Sequence, residues 1–167
     1  GNSLMVVCAK LGMDFCACGP KEQMPSDELV AQCREVAKES GATITLTEDV
    51  DEGAAGASVI YTDIWVSMGE SSDLWAKRIE LLSKYQVNAE LMAKAADDAI
   101  FMHCLPSFHD RNTTIGEDVF QKFGLPELEV TDEVFESERS RVFDEAENRM
   151  HSIKAVMYAT LKDSESE

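Results

Sequence analysis

The sequence predicts an α/β fold, a Rossmann-like three-layer arrangement in which a parallel sheet carries helices on both faces. Three observations point there. Short β-rich apolar runs alternate along the chain with stretches whose apolar residues recur at helical spacing. Polar, Gly-containing segments follow two of those runs directly, as they do at the carboxyl edge of a parallel sheet, where ligand crevices open. No repeat, low-complexity tract or internal linker divides the chain, and 167 residues suffice for one domain with a sizeable core.

The elements follow in order. Residues 3–12 read as a helix stopped by Gly12. Phe15-Cys16-Ala17-Cys18 reads as a strand ended by Gly19-Pro20. Ser26 caps a helix with apolar Leu29, Cys33, Val36 and Ala37, ended by Gly41. Thr43-Ile44-Thr45-Leu46 is β-branched and reads as a strand. A short helix is expected over 49–55, a strand at Ser58-Val59-Ile60-Tyr61, and a helix over 73–84. Another short helix, 88–96, precedes a strand at Ala99-Ile100-Phe101-Met102. Residues 117–123 read as helix, 127–130 as a last short strand, and 132–139 as broken helix or turn. The longest helix spans 144–161, with Met150, Ile153, Met157 and Leu161 at helical spacing. The chain opens on Gly1 and on a helix, whereas a doubly wound domain opens on a mid-sheet strand. Either it lacks its first, central strand, as a piece of a longer protein would, or another polypeptide supplies that strand.

Charge and cysteine usage exclude several classes. The formal net charge of -17 argues against nucleic acid, which needs basic patches. No apolar run approaches the roughly 20 residues of a membrane span, so no membrane partner is expected. The first residues lack the basic flank of a secretory signal. The five cysteines form no C-x-x-C pair and are odd in number, which favours reduced thiols and a cytoplasmic location over a disulfide framework.

Two segments carry chemistry. Asp63-Ile64-Trp65-Val66-Ser67-Met68-Gly69 follows one predicted strand, and His103-Cys104-Leu105-Pro106 follows the next. A carboxylate, a hydroxyl, a Gly turn and a thiol would thus face one cleft, a set suited to binding an amino-acid ammonium and handling its proton. Each has a plainer reading: Asp63 as a turn cap, Trp65 as packing, Cys104 as a buried strand end that Pro106 turns outward. Arg149 either pairs with Glu145 one turn back or offers its fork to an anion or polarised carbonyl. Adjacent His103 and Cys104 without further spaced ligands make a weak metal signal, and no metal is expected. His151 reads as a surface or packing residue, and His109, near Asp110, could be catalytic in isolation but has nothing nearby that makes it a triad member.

Together, Asp63-x-x-x-Ser67-Met68-Gly69, His103-Cys104-Leu105-Pro106, Thr131-Asp132-Glu133-Val134-Phe135 and Glu145-Ala146-Glu147-Asn148-Arg149-Met150-His151 closely resemble the ornithine carbamoyltransferase family. The resemblance spans essentially the whole chain in the right order and matches the second, ornithine-binding lobe. It implies transfer of the carbamoyl group of carbamoyl phosphate to the δ-amine of L-ornithine, giving L-citrulline and phosphate, without a cofactor. It further implies that Asp63 and Ser67 hold the α-ammonium of ornithine and that the backbone of Met68 helps hold its carboxylate. Cys104 would lie near the attacking amine, the Leu105 carbonyl near the carbamoyl nitrogen, and Arg149 would polarise the carbamoyl oxygen. Asp63, Cys104 and Arg149 are the expected catalytic residues, because an amine must lose its proton to attack and the developing oxyanion needs a cation. The spacing singles out no one proton acceptor.

The family's first lobe carries a Ser-Thr-Arg-Thr phosphate loop and a catalytic His, and its central strand carries an ornithine-binding Asn; this sequence has none of them. Residues 1–167 are therefore expected to be the second domain, with helix 144–162 packing on an N-terminal carbamoyl-phosphate domain in a homotrimer or higher multiple. Alone, the chain is expected to be inactive. The alternative is a free-standing amino-acid-binding α/β module without catalysis. A nucleotide-binding domain ranks last, because G-x-G-x-x-G does not occur.

Overall fold

The computed structural model describes residues 1–66, 70, 71 and 73–162. The predicted alternation is borne out: α1 (Asn2–Leu11), β1 (Phe15–Cys18), α2 (Asp27–Ser40), β2 (Ile44–Thr47), α3 (Val50–Ala54), β3 (Val59–Thr62), α4 (Leu74–Leu82), α5 (Ala89–Met92), β4 (Ile100–His103), α6 (Thr114–Phe123), α7 (Asp132–Phe135) and α8 (Val142–Lys162).

Local chemistry accounts for the boundaries. Ser26 caps α2 by accepting from the Leu29 amide at 3.3 Å, and Asp49 caps α3 by accepting from the Asp51 and Glu52 amides. Gly12 ends α1 at φ +74°, and a Cβ there would sit 2.8 Å from the Ser40 carbonyl oxygen, so both conformation and space demand glycine. That close approach lets α1 pack on α2, where Met5, Ala9, Val30, Cys33 and Ala37 bury one core with Ile44 of β2.

The four strands form two parallel pairs. β1 pairs with β2 in the register Phe15↔Ile44, and β3 pairs with β4 in the register Val59↔Ile100 through Thr62↔His103. The predicted strand at 127–130 is corrected to a single bridge, Val87↔Val130. Its backbone meets a single residue there, Val87, through the Val87 amide to the Glu129 carbonyl and the Thr131 amide to the Val87 carbonyl, both at 3.0 Å, while residues 139–141 lie beside β4, where Phe101 exchanges backbone hydrogen bonds with Arg139 and Arg141 at 2.9 Å. Beneath β3 and β4, Ile60, Phe101, Val130, Phe135 and Val142 form a second core. A third holds Trp65, Trp75, Phe108 and Leu128, so Trp65 packs, as its plainer reading expected. No helix among the described residues is long and apolar enough to cross a membrane.

Candidate active site

Parallel pairing of β3 and β4 carries Asp63 and Cys104 past two adjacent strand ends, because Thr62 and His103 are register partners. The Cys104 thiol donates to Asp63 Oδ1 at 3.1 Å. The same oxygen accepts the Ile64 amide at 2.8 Å, which fixes the carboxylate on its own turn. Partial burial, with the hydrogen bond to Asp63 second, pushes the Cys104 thiol up to about 11. Near neutral pH it is thus a thiol, a proton donor and acceptor rather than a standing nucleophile.

A cleft of about 510 Å3 opens between these strand ends and the first turns of α8, lined by Tyr61, Cys104, Glu145, Arg149 and His151 among others. The Arg149 guanidinium is not paired with Glu145. Tyr61 instead donates its hydroxyl to Glu145 Oε1 at 2.8 Å, and no acidic partner of the guanidinium is found among the described residues. Burial and the neighbouring Glu145 carboxylate hold the Tyr61 hydroxyl well above its ordinary range, so it keeps its proton.

The loop after β4 is braced from below. Leu105 adopts φ +50°, the left-handed region that costs a bulky L-residue on the order of 1–2 kcal/mol. Its amide donates to His103 Nδ1 at 2.9 Å, which places the imidazole proton on Nε2, 3.4 Å from Glu129 Oε1. Both side chains are fully buried. Glu129 Oε1 also accepts from the Ser107 hydroxyl at 3.0 Å and the Phe108 amide at 2.6 Å, tying residues 103–108 to the 127–130 segment.

The expected site residues Asp63, Cys104, Leu105 and Arg149 thus gather near the ends of β3 and β4 and the start of α8. Ser67 and Met68 lie outside the described residues. The sequence missed Tyr61, hidden in an apolar strand run, and Glu129, read as an ordinary strand residue. A polar tip in the one and a carboxylate inside the other were the available signals. His109 bonds to Asp132 at 2.8 Å and stacks on Phe135 with ring centroids 3.6 Å apart. With Glu136 these two form one group whose ligand atoms are close enough to share an ion.

Fold and cleft define a parallel α/β ligand-binding domain with a thiol–carboxylate pair and a guanidinium that has no acidic partner among the described residues. The family model described as "Aspartate/ornithine carbamoyltransferase, Asp/Orn binding domain" matches residues 1–160, and the chain belongs to that family. A catabolic ornithine carbamoyltransferase of Treponema denticola is 61% identical over 160 residues, covering 96% of this chain and 47% of the relative. An ornithine carbamoyltransferase of Staphylococcus aureus is 56% identical over 161 residues, covering 96% of this chain and 48% of the relative. Among solved structures, the Pyrococcus furiosus ornithine carbamoyltransferase aligns with a TM-score of 0.78 at 36% identity, over 93% of this chain and 44% of that one. The Gloeobacter violaceus enzyme aligns with a TM-score of 0.74 at 37% identity, over 93% and 45%. The chain spans about half the length of the curated relatives it matches.

Proposed function

We propose that this chain is the ornithine-binding half of an ornithine carbamoyltransferase, which joins carbamoyl phosphate and L-ornithine to give L-citrulline and phosphate. The observation that carries the reading is the Cys104–Asp63 hydrogen bond at the strand ends, set beside a cleft that Arg149 lines without an acidic partner among the described residues.

An alkyl ammonium cannot attack a carbonyl until it loses a proton. In the proposed reaction the δ-amine of ornithine lies against Cys104. Its proton passes to the sulfur as the thiol proton moves to Asp63, so the pair relays one proton and Cys104 ends as it began. The freed nitrogen lone pair then attacks the carbamoyl carbon, with the Leu105 carbonyl steadying the carbamoyl amide. Arg149 stabilises the oxygen charge that develops, the C–O bond to phosphate breaks, and the departing phosphate takes the second proton from the nitrogen. Asp63 and Ser67 hold the α-ammonium, and the Met68 backbone holds the carboxylate.

The carbamoyl-phosphate domain is expected in the part of the protein outside these residues. Two features support that division. Met150, Ile153, Met157 and Leu161 of α8 are exposed at one helical spacing, as a surface for another domain would be. β1–β2 and β3–β4 are separate pairs, between which a central strand would complete one sheet. We place the protein in the cytoplasm as a homotrimer or higher multiple; its five free cysteines suit a reducing compartment. The test is citrulline formation by the complete protein, supplied with carbamoyl phosphate and either ornithine, putrescine or aspartate. Activity with ornithine alone supports the reading, and binding of ornithine without turnover would favour the amino-acid-binding module.

A further inference from the structure

Glu145 and Arg149 stand one turn apart on α8, the spacing at which opposite charges on a helix meet. Both line the cleft, yet they do not pair. Glu145 directs Oε1 to the Tyr61 hydroxyl, while Oε2 is buried without a hydrogen-bond partner. The neighbouring basic side chains are engaged elsewhere. Arg141 donates to the Glu138 and Ser140 carbonyls and lies 3.9 Å from Asp144, and His151 faces Glu147 at 3.7 Å.

We propose that Tyr61 is a positioning residue: by taking Glu145 through its hydroxyl, it keeps that carboxylate from capturing Arg149 and leaves the guanidinium free for the carbamoyl oxygen. The inference rests on the reading of Arg149 given above. Its physical basis is the cost of leaving the oxygens of a half-buried carboxylate unsatisfied. With Tyr61 in place, one oxygen is satisfied by a neutral donor and the helix face keeps a free cation. Without the hydroxyl, both oxygens of Glu145 would lack a partner, and such a group draws in the nearest available charge. On this face that charge is Arg149. The hydroxyl suits the task because it keeps its proton throughout the working pH range and so remains a donor.

The experiment uses the complete protein, with steady-state citrulline formation by wild type, Y61F and Y61F/E145Q. In Y61F, kcat falls about tenfold, a fraction of what losing a charge-stabilising group outright costs, while the KM for ornithine stays within about twofold. Replacing the carboxylate by an amide in Y61F/E145Q abolishes the competing ion pair and restores most of the lost kcat. A Y61F kcat equal to wild type overturns the inference, and so does a loss that the second substitution fails to recover, since that identifies a contact that only braces the strand end. A wild-type protein without carbamoyl transfer overturns the underlying reading instead.

Discussion

Cys104 Sγ lies 3.1 Å from Asp63 Oδ1, although the two residues are 41 positions apart in the chain. The contact follows from topology. In a parallel pair with Thr62 opposite His103, the next residue of each strand must leave the sheet at the same end. A carboxylate beside a thiol opposes loss of the thiol proton, and its nearness can be read chemically. Alkylation of Cys104 by iodoacetamide should rise with pH toward about 11, well beyond the ordinary thiol range. In Asp63→Asn the charge is gone, and alkylation at pH 8 should accelerate about tenfold for each unit by which the pKa falls. Site-resolved mass spectrometry is required, because Cys16 and Cys18 are also exposed. An unchanged profile in the variant would detach the thiol from Asp63.

The same shift acts on folding, with a definite sign. Cys18 and Cys104 are both raised from 9.0 to about 11 in the folded state, so above pH 9 the unfolded chain binds fewer protons than the native one. Their contribution to stability is complete below about pH 9 and is lost as pH climbs through about 11. Urea midpoints at pH 8, 9.5 and 10.5 should therefore fall progressively, and less steeply in the double variant C18S/C104S. Equal slopes in the two proteins would assign the alkaline loss to other groups.

Glu129 is the buried brace of the loop bearing Cys104. Glu129→Ala strips acceptors from the Ser107 hydroxyl and the Phe108 amide. Each unsatisfied buried donor costs about 1–3 kcal/mol, so the variant should lose roughly 3 kcal/mol in denaturant unfolding. Glu129→Gln keeps an acceptor oxygen and should lose less. Equal loss in the two variants would mean that the negative charge, rather than the acceptor, holds the loop.

The elements most legible in the sequence were those whose cause is local. Ser26, Asp49, Gly12 and Gly41 mark helix ends by capping chemistry that operates within four residues, and they stand where expected. The pairing of Asp63 with Cys104 was also legible, since alternating strands and helices force parallel order. Segment 127–130 was not. Its alternation resembles a strand, but the fold offers its backbone only Val87 as a partner, and nothing local announces that. Glu129 failed for the same reason: only the fold brings Ser107 and Phe108 to it. Tyr61 was legible as a strand residue and silent as a partner, because Glu145 lies 84 residues away.

In the complete protein, Asp63→Asn should raise the KM for ornithine at least about tenfold and lower turnover, because removing one partner of a desolvated charge pair costs roughly 2–5 kcal/mol. The KM for carbamoyl phosphate should move little if Asp63 serves the amine as proposed. A variant with ornithine constants like wild type would remove Asp63 from the binding site.

The last expectation concerns the chain alone. It should form no citrulline from ornithine and carbamoyl phosphate, because catalysis would depend on aligning two substrates across two domains, an effect of up to roughly 7–11 kcal/mol in well-oriented cases. Mixing it with the separately produced other half of the protein should restore activity if α8 supplies the docking face. Met150 is 60% exposed, Ile153 48%, Met157 57% and Leu161 63%, values that would be costly to leave in water if the helix had no partner. Ile153→Glu with Met157→Glu places two charges in that seam. The doubly substituted chain should keep the fold of α1 to β4, remain more monomeric in solution than the parent, and fail to complement the other half. Two outcomes would overturn this division of labour: citrulline formed by the parent chain alone at a rate near that of the complete protein, or full complementation by the charged variant.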